Sequence, residues 1–169
     1  YLWFATWEGV VRYNGQEFRS FGRNNVPELR DSGIRSVQVG PSGALVVATS
    51  RGGVSVLRDG QWRSYGTDDG LPQDETFVAI EDLDGRLWVG TESQGLARLG
   101  DGGQARHFDM DSGLPSDVIY ALLQDGSGAI WVGTGKGVAR IEGDRLQAFG
   151  TDAGLPEGAV FSLAMAGDG

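Results

Sequence analysis

One block of five residues recurs four times along the chain, and it limits what the chain can fold into. Leu2-Trp3-Phe4-Ala5-Thr6 returns as Leu45-Val46-Val47-Ala48-Thr49, as Leu87-Trp88-Val89-Gly90-Thr91 and as Ile130-Trp131-Val132-Gly133-Thr134. The closing threonines step by 43, 42 and 43 residues. A glycine follows each block, at Gly9, Gly53, Gly95 and Gly137, and an aromatic residue stands 12 or 13 positions beyond it, at Phe21, Tyr65, Phe108 and Phe149. Gly-Leu-Pro occurs at 70–72, 113–115 and 154–156. The repeats therefore run over about 1–43, 44–85, 86–128 and 129–169. Such a period marks one small unit, stacked on copies of itself to bury its apolar faces.

Each period accommodates four short strands. In one copy, residues 118–124 form an apolar run, the turn 125–128 follows, and strands over 130–134, 138–141 and 146–149 are separated by turns at Gly135-Lys136-Gly137 and Glu142-Gly143-Asp144. Turns this short join only antiparallel neighbours. Gly is 29 of 169 residues, about 17% against a usual ~7%, which is too much punctuation for a helical protein. A step near 42 residues with four strands per step predicts an all-β protein, a β-propeller of four-stranded antiparallel blades with four repeats in this chain.

Gly-Leu-Pro, an apolar strand, an Asp-x-x-Gly-like turn, Ile/Leu-Trp-Val-Gly-Thr and then Gly-Val/Leu-x-Arg together resemble the two-component regulator propeller repeat, best over residues 113–141. The resemblance covers essentially the whole chain and marks the blade scaffold, not an active site. It implies a periplasmic or otherwise extracytoplasmic sensor propeller of a membrane-bound signalling protein, many relatives of which respond to carbohydrates. Two departures stand out: the first unit has Asn24-Asn25-Val26-Pro27 where the others have Gly-Leu-Pro, and the second has Val46 where the others have Trp.

Gly43, Gly85, Gly128 and Gly169 are equivalent turn positions, and Tyr1 occupies the position that follows such a glycine, so the two ends are consecutive in repeat phase. The expectation is three whole blades plus one split between the termini, with strands over 2–6, 10–13 and 18–21 from the N-terminus and the innermost strand, about 160–165, from the C-terminus. An unpaired edge there would expose backbone donors and apolar surface. Joining two chains into an eight-bladed ring is the expected solution. Because the chain opens at Tyr1 without a Met, it reads as a mature product or an excised piece.

Strands named A to D from the axis outward place the B–C and D-to-next-A loops at one end of each blade. That end is the longer and more varied. Its B–C loops hold Trp7 and Glu8, Arg51, Glu92 and Gln94, and Lys136; its D–A loops hold Asn24 and Asn25, Asp68 and Asp69, Asp111, and Asp152. Phe21 to Gly43 spans 22 residues where the three equivalent intervals span 20, placing the extra length in the first D–A loop. Loop variation on a uniform scaffold is where binding resides, so these twelve residues are the candidate ligand contacts. Trp7, the one Trp in a B–C loop, suits a sugar face or another planar ligand, and Arg51 and Lys136 suit a carboxylate or sulfate. The alternative readings are structural: Trp3, Trp88 and Trp131 pack between blades, the repeated threonines satisfy backbone groups beside their loops, Gly-Leu-Pro forms a turn with an apolar plug, and Asp68, Asp111 and Asp152 cap their own turns.

Composition removes several function classes. Lys+Arg is 14 and Asp+Glu 23, a net charge of −9, so no basic face awaits nucleic acid. There is no Cys and one His, His107 on an outer strand, which leaves no disulfide scaffold, no thiol nucleophile, no multi-His metal site and no Ser-His-Asp set. No cofactor is expected. The longest apolar run is six residues, 118–123, far short of a bilayer span, and no signal peptide is visible. The reading that remains is a ligand-sensing module; the alternatives are a protein-interaction scaffold or a propeller lyase or hydrolase.

Overall fold

A computed structural model describes residues 1–100 and 104–167. The turn that the repeat pattern places at Gly102-Gly103, between the third and fourth strands of its blade, and the Gly169 turn position lie outside the described residues. Among the described residues fifteen strands form four antiparallel sheets. The first holds β1 (Leu2–Thr6), β2 (Gly9–Tyr13) and β3 (Phe18–Phe21); the second β4 (Ile34–Val39), β5 (Leu45–Thr49), β6 (Val54–Arg58) and β7 (Gln61–Tyr65). The third holds β8 (Thr76–Glu81), β9 (Leu87–Thr91), β10 (Leu96–Leu99) and β11 (Ala105–Phe108); the fourth β12 (Ile119–Gln124), β13 (Ile130–Thr134), β14 (Gly137–Glu142) and β15 (Arg145–Phe149). In every sheet the strands lie side by side in chain order, as four-stranded propeller blades require. No described helix is long and apolar enough to cross a membrane.

The repeat landmarks turn out to be parts of one hairpin closure. The last threonine of each second strand donates its Oγ1 hydrogen to the carbonyl of the following glycine: Thr6 to Gly9 at 2.8 Å, Thr49 to Gly53 at 2.9 Å, Thr91 to Gly95 at 2.7 Å and Thr134 to Gly137 at 3.0 Å. Those glycines take positive φ, 131°, 74°, 74° and 109°. Antiparallel pairing then brings the chain back beside the same hairpin, matching Val10 with Phe21, Val54 with Tyr65, Leu96 with Phe108 and Val138 with Phe149. The carbonyl of that returning aromatic lies where a Cβ would stand: a Cβ on Gly53 would meet Tyr65 O at 2.1 Å, and one on Gly95 would meet Phe108 O at 2.2 Å. The interval of 12 or 13 residues is thus the length of two strands and a turn folded back on the glycine.

Three apolar cores lie between successive sheets. Val10, Ile34, Leu45 and Val47 join the first two, with Trp3 and Trp62 against them. Val46, Val54, Leu71, Ala79 and Val89 join the second and third, and Val78, Trp88, Phe108, Leu114, Ile119 and Ile130 the third and fourth. Leu71 and Leu114 of Gly-Leu-Pro are buried plugs; in the first D–A loop Val26 and Leu29 fill that place. Trp88 is buried, and its indole N–H donates to Asp82 Oδ2 at 2.7 Å, as that of Trp131 does to Asp125 Oδ2 at 2.7 Å. Arg98 lies 5.4 Å over the Trp88 ring and Arg140 5.9 Å over that of Trp131. The second sheet lacks all three partners at once, with Gly40, Val46 and Val56 in their places. There the buried Glu81 carboxylate of the next sheet enters, accepting from Ser42 N–H at 3.1 Å and pairing with Arg58. A Cβ on Gly40 would stand 2.3 Å from Glu81 Oε2, so the missing Asp is also the space that Glu81 needs.

The strand expected over 160–165 is not formed. The segment lies against the last sheet: Val160 N–H donates to Thr134 O at 2.9 Å, and the Phe161 and Tyr120 rings are 4.8 Å apart. No described strand pairs with it, and a segment without a ladder is not a strand. The first sheet correspondingly stops at three strands, with β1 at its edge.

Two measurements check this architecture. Gly53→Ala and Gly60→Ala both place a Cβ at positive φ, 74° and 79°, but nothing lies within 4 Å of the second. Gly60→Ala is expected to lower the unfolding free energy by ~1–2 kcal/mol, the ordinary left-handed penalty, and Gly53→Ala by clearly more; equal losses in chemical denaturation would contradict the close approach. Acid is the second probe. The Ser127 hydroxyl bond to Asp125, with bonds from the Trp131 indole and two backbone N–H groups, holds that carboxyl at about 2 against 3.8, although its burial pulls the other way. A carboxyl lowered in the folded state stabilises fully above its unfolded value and stops doing so as pH falls through the folded one. Stability should therefore decline between about pH 4 and about pH 2, and Asp125→Asn should flatten that decline; an unchanged slope would sink the assignment.

Candidate functional site

The inner strands break register at one repeated place. Pairing with the neighbouring strand skips between Ile34 and Ser36, between Thr76 and Val78, and between Ile119 and Ala121. The skipped residues are Arg35, Phe77 and Tyr120, each one residue into its strand and beside the D–A loop. A bulge frees a residue from the ladder and re-aims its side chain. Here the re-aimed side chains meet from blade to blade. The Arg35 guanidinium lies 4.9 Å from the Phe77 ring centre, Phe77 and Tyr120 stack at 5.3 Å and 13°, and Tyr120 reaches Phe161 at 4.8 Å and 56°. The Trp7 ring extends the row at the other end, 5.6 Å from Arg35. A Cβ at Gly33 would stand 3.1 Å from the indole, so that glycine admits the ring. The result is a row of five side chains, Trp7, Arg35, Phe77, Tyr120 and Phe161, along the rim of the B–C/D–A end. Its termini are open, Trp7 70% and Phe161 69% exposed, while Phe77 and Tyr120 are half-buried.

Of the twelve residues expected from sequence, some are tied into the scaffold. Asn25 closes its own turn, its Oδ1 accepting from Gly22 N–H at 2.8 Å and its Nδ2 donating to Ser20 O at 2.8 Å. Asp69 accepts from Gly66 N–H at 2.9 Å and lies 3.7 Å from Arg30. In the third sheet Ser112 makes that bond, its Oγ accepting from Asp109 N–H at 2.6 Å. The cap thus falls one position after Asn24, Asp68 and Asp111, which are exposed, as is Asp152. The Arg51 backbone N–H donates to Asp31 Oδ2 at 2.9 Å, leaving its side chain exposed. Burial would raise the Asp31 carboxyl, but the Ser50 hydroxyl and three backbone N–H groups hold it below its ordinary value. Glu92 and Gln94 are exposed on either side of Ser93, whose N–H donates to Gln73 at 3.0 Å. Glu8 is exposed, its N–H donating to Thr6 Oγ1 at 3.2 Å.

Lys136 and Asp152 are brought together, lining one groove of about 640 Å³ with Pro156 and Glu157. Trp7 stands apart from them, in the rim row. His107 gives its Nε2 hydrogen to Gly70 O at 2.7 Å, clasping two blades. Among the described residues no three His, Cys, Asp or Glu side chains group as metal ligands would.

Sequence reasoning reached Trp7 and missed Arg35, Phe77, Tyr120 and Phe161. A signal existed: the four stand at steps of 42, 43 and 41 residues, the repeat period itself. What it lacked was the bulge. Strict alternation gives the second residue of a strand the opposite face from the first, and nothing in the pattern announces a skipped pair.

Comparisons with known proteins agree with this geometry. The family model described as two component regulator propeller matches residues 113–136, which hold one Gly-Leu-Pro, the whole of β12 and the whole of β13. No curated protein matches the sequence. The fold is similar to the extracellular domain of the putative hybrid two component system BT3049 from B. thetaiotaomicron, with a TM-score of 0.76 and 26% identity over 86% of this chain and 21% of that one. It is similar too to the extracellular domain of the putative hybrid two component system BT4673 from B. thetaiotaomicron, at 0.70 and 21% identity over 88% and 22%. A third likeness, to virginiamycin B lyase from Staphylococcus aureus at 0.66 and 18% identity over 88% and 51%, is one of fold alone. The chain spans about a fifth of the length of the two extracellular domains. Its four sheets are propeller blades, and residues 113–136 carry the two component regulator propeller repeat.

Proposed function

We propose that this chain is an extracytoplasmic ligand-sensing propeller module of a membrane signalling protein, and that it takes a small molecule or carbohydrate on the B–C/D–A end. One observation carries the reading: the rim row in which Trp7 and Arg35 stand exposed beside the stacked Phe77 and Tyr120. Aromatic faces present large apolar area with little rotamer freedom to lose, and an adjoining guanidinium adds planar hydrogen bonding. That pairing suits the C–H face and hydroxyls of a sugar ring. The flanking loops supply Arg51, Glu92 and Gln94 as further polar contacts, and Lys136 with Asp152 form a second, charged groove on the same end. The likeness to extracellular domains of putative hybrid two component systems supports the sensing role and the location outside the cytoplasm.

The test is a glycan and metabolite screen by calorimetry, followed by substitution in the best binder. Trp7→Ala and Arg35→Ala are each expected to weaken binding about tenfold, equivalent to ~1.4 kcal/mol, with Arg51→Ala smaller. Affinity unchanged in all three, with the β-type circular dichroism spectrum intact, would move the site elsewhere. Chemical turnover of the bound glycan would replace the sensing role with an enzymatic one.

A further inference from the structure

The outermost strands repeat one arrangement, and the junction of the first two sheets lacks a part of it. In three sheets an arginine two residues before the closing aromatic lies over that ring: Arg19 is 5.1 Å from the Phe21 ring centre, Arg63 4.7 Å from Tyr65 and Arg106 5.3 Å from Phe108. Between the third and fourth sheets the guanidinium meets a carboxylate. Arg106 pairs with Asp144 Oδ2 at 2.8 Å and Arg98 with Asp144 Oδ1 at 3.0 Å, which ties the β14–β15 turn to the third sheet. Register puts Gly60 of the β6–β7 turn in the place of Asp144, since Arg58 pairs with Gln61 as Glu142 pairs with Arg145. A Cβ on Gly60 would meet nothing within 4 Å. Arg19 therefore has the stance of Arg106 without its counter-charge, and among the described residues it forms no ion pair.

The absent carboxylate coincides with an open groove. Where the fourth sheet sets Leu146 against the Gly113 turn, the second sheet presents Trp62, half-buried and 6.0 Å from the Phe21 ring. The D–A loop with the extra length brings the exposed Glu28 alongside, its carbonyl accepting from the Ser64 hydroxyl. Arg19, Glu28, Gln61 and Trp62 line a groove of about 580 Å³, a size that encloses a small ligand. The Trp62 indole N–H, the Gln61 amide and the Glu28 carboxylate hold no hydrogen bond to the described residues. We infer that this groove is a second binding site, sharing no residue with the rim row, and that it takes a sugar ring bearing a carboxylate. The argument uses none of the rim reading. Arg19 takes the ligand carboxylate as Arg106 takes that of Asp144, in planar, charge-assisted hydrogen bonds. The Trp62 ring carries the C–H face of the sugar, and Glu28 and Gln61 meet its hydroxyls, the carboxylate accepting and the amide doing either. The polar walls decide the class. A flat aromatic acid would cover Glu28 and Gln61 without giving them partners, which is costly, and a neutral sugar would leave Arg19 without its counter-charge.

Titration of the full chain with glucuronate, glucose and benzoate, followed by nitrogen–proton NMR, reads the site. Glucuronate is expected to shift the Trp62 indole and Gln61 side-chain signals. Glucose and benzoate are each expected to bind about tenfold more weakly, one lacking the charge-assisted pair and the other the hydroxyl bonds. Arg19→Gln installs the residue that the fourth sheet carries at the equivalent Gln147, so the fold tolerates it. It is expected to weaken glucuronate about tenfold, to the level of glucose. Trp62→Leu copies Leu146 in the same way and is expected to weaken both sugars. If that change disturbs packing, the Arg19→Gln comparison decides by itself. Glucose bound as tightly as glucuronate would overturn the anion, and benzoate bound as tightly would overturn the sugar. Glucuronate that shifts no groove signal, that moves the Trp7 indole alone, or that binds Arg19→Gln undiminished would overturn the site. The groove signals are read apart from Trp7, so a rim row that binds nothing leaves this test intact.

Discussion

A carbonyl oxygen pressed into the space of an absent Cβ sets the geometry of every blade. At Gly9, Gly53, Gly95 and Gly137 the returning outer strand comes so near that any side chain would collide with backbone, at 2.1 to 2.6 Å. The same glycine carbonyl takes the threonine hydroxyl from across the hairpin, so the tightest point of the turn is also a satisfied one. With second, third and fourth strands locked in this way, each sheet has a fixed register. Fixed register decides which side chains face the neighbouring blade. The interblade cores, the Trp–Asp bonds and the rim row all follow from that choice.

The second sheet shows how the unit tolerates change. Losing the indole there removes the reason for the carboxylate that holds it and for the guanidinium that covers it, and Gly40, Val46 and Val56 replace all three together. A carboxylate left behind without its indole partner would have been a buried charge lacking one of its donors, which is costly. Instead Glu81 reaches across from the next blade and is satisfied by Ser42 and Arg58, so the polar tie runs between sheets where elsewhere it runs within one. In the neighbouring sheet Asp82 keeps its local role. Burial would raise its carboxyl, yet bonds from the Trp88 indole and from Arg86 keep it lowered and charged.

The rim row depends on a smaller irregularity. Three bulges at equivalent places turn Arg35, Phe77 and Tyr120 out of the ladder toward one another, and Phe161 joins them without being in a strand. A strand that alternated strictly would have kept these rings on separate faces. The candidate site is thus a feature of how inner strands meet around an axis, and the loops first suspected of binding surround it. Several of those loops are occupied with their own closure, as Asn25 and Asp69 show.

The sequence by itself determined the blade. Leu-Trp-Val-Gly-Thr, the glycine after it and the aromatic 12 or 13 residues on are short-range signals, and a hairpin is closed by residues within reach of its own turn. The period gave the number of sheets, and the Gly-Leu-Pro leucines were legible as plugs because an apolar residue in a turn has one place to go. Only the tertiary structure decided which residues share the rim. Arg35, Phe77, Tyr120 and Phe161 are some forty residues apart, and their meeting depends on a skipped pair in each inner strand and on the angle between sheets. The same holds for residues 160–165, whose apolar run reads as a strand but forms none, because a strand exists only by pairing and no described strand pairs with it.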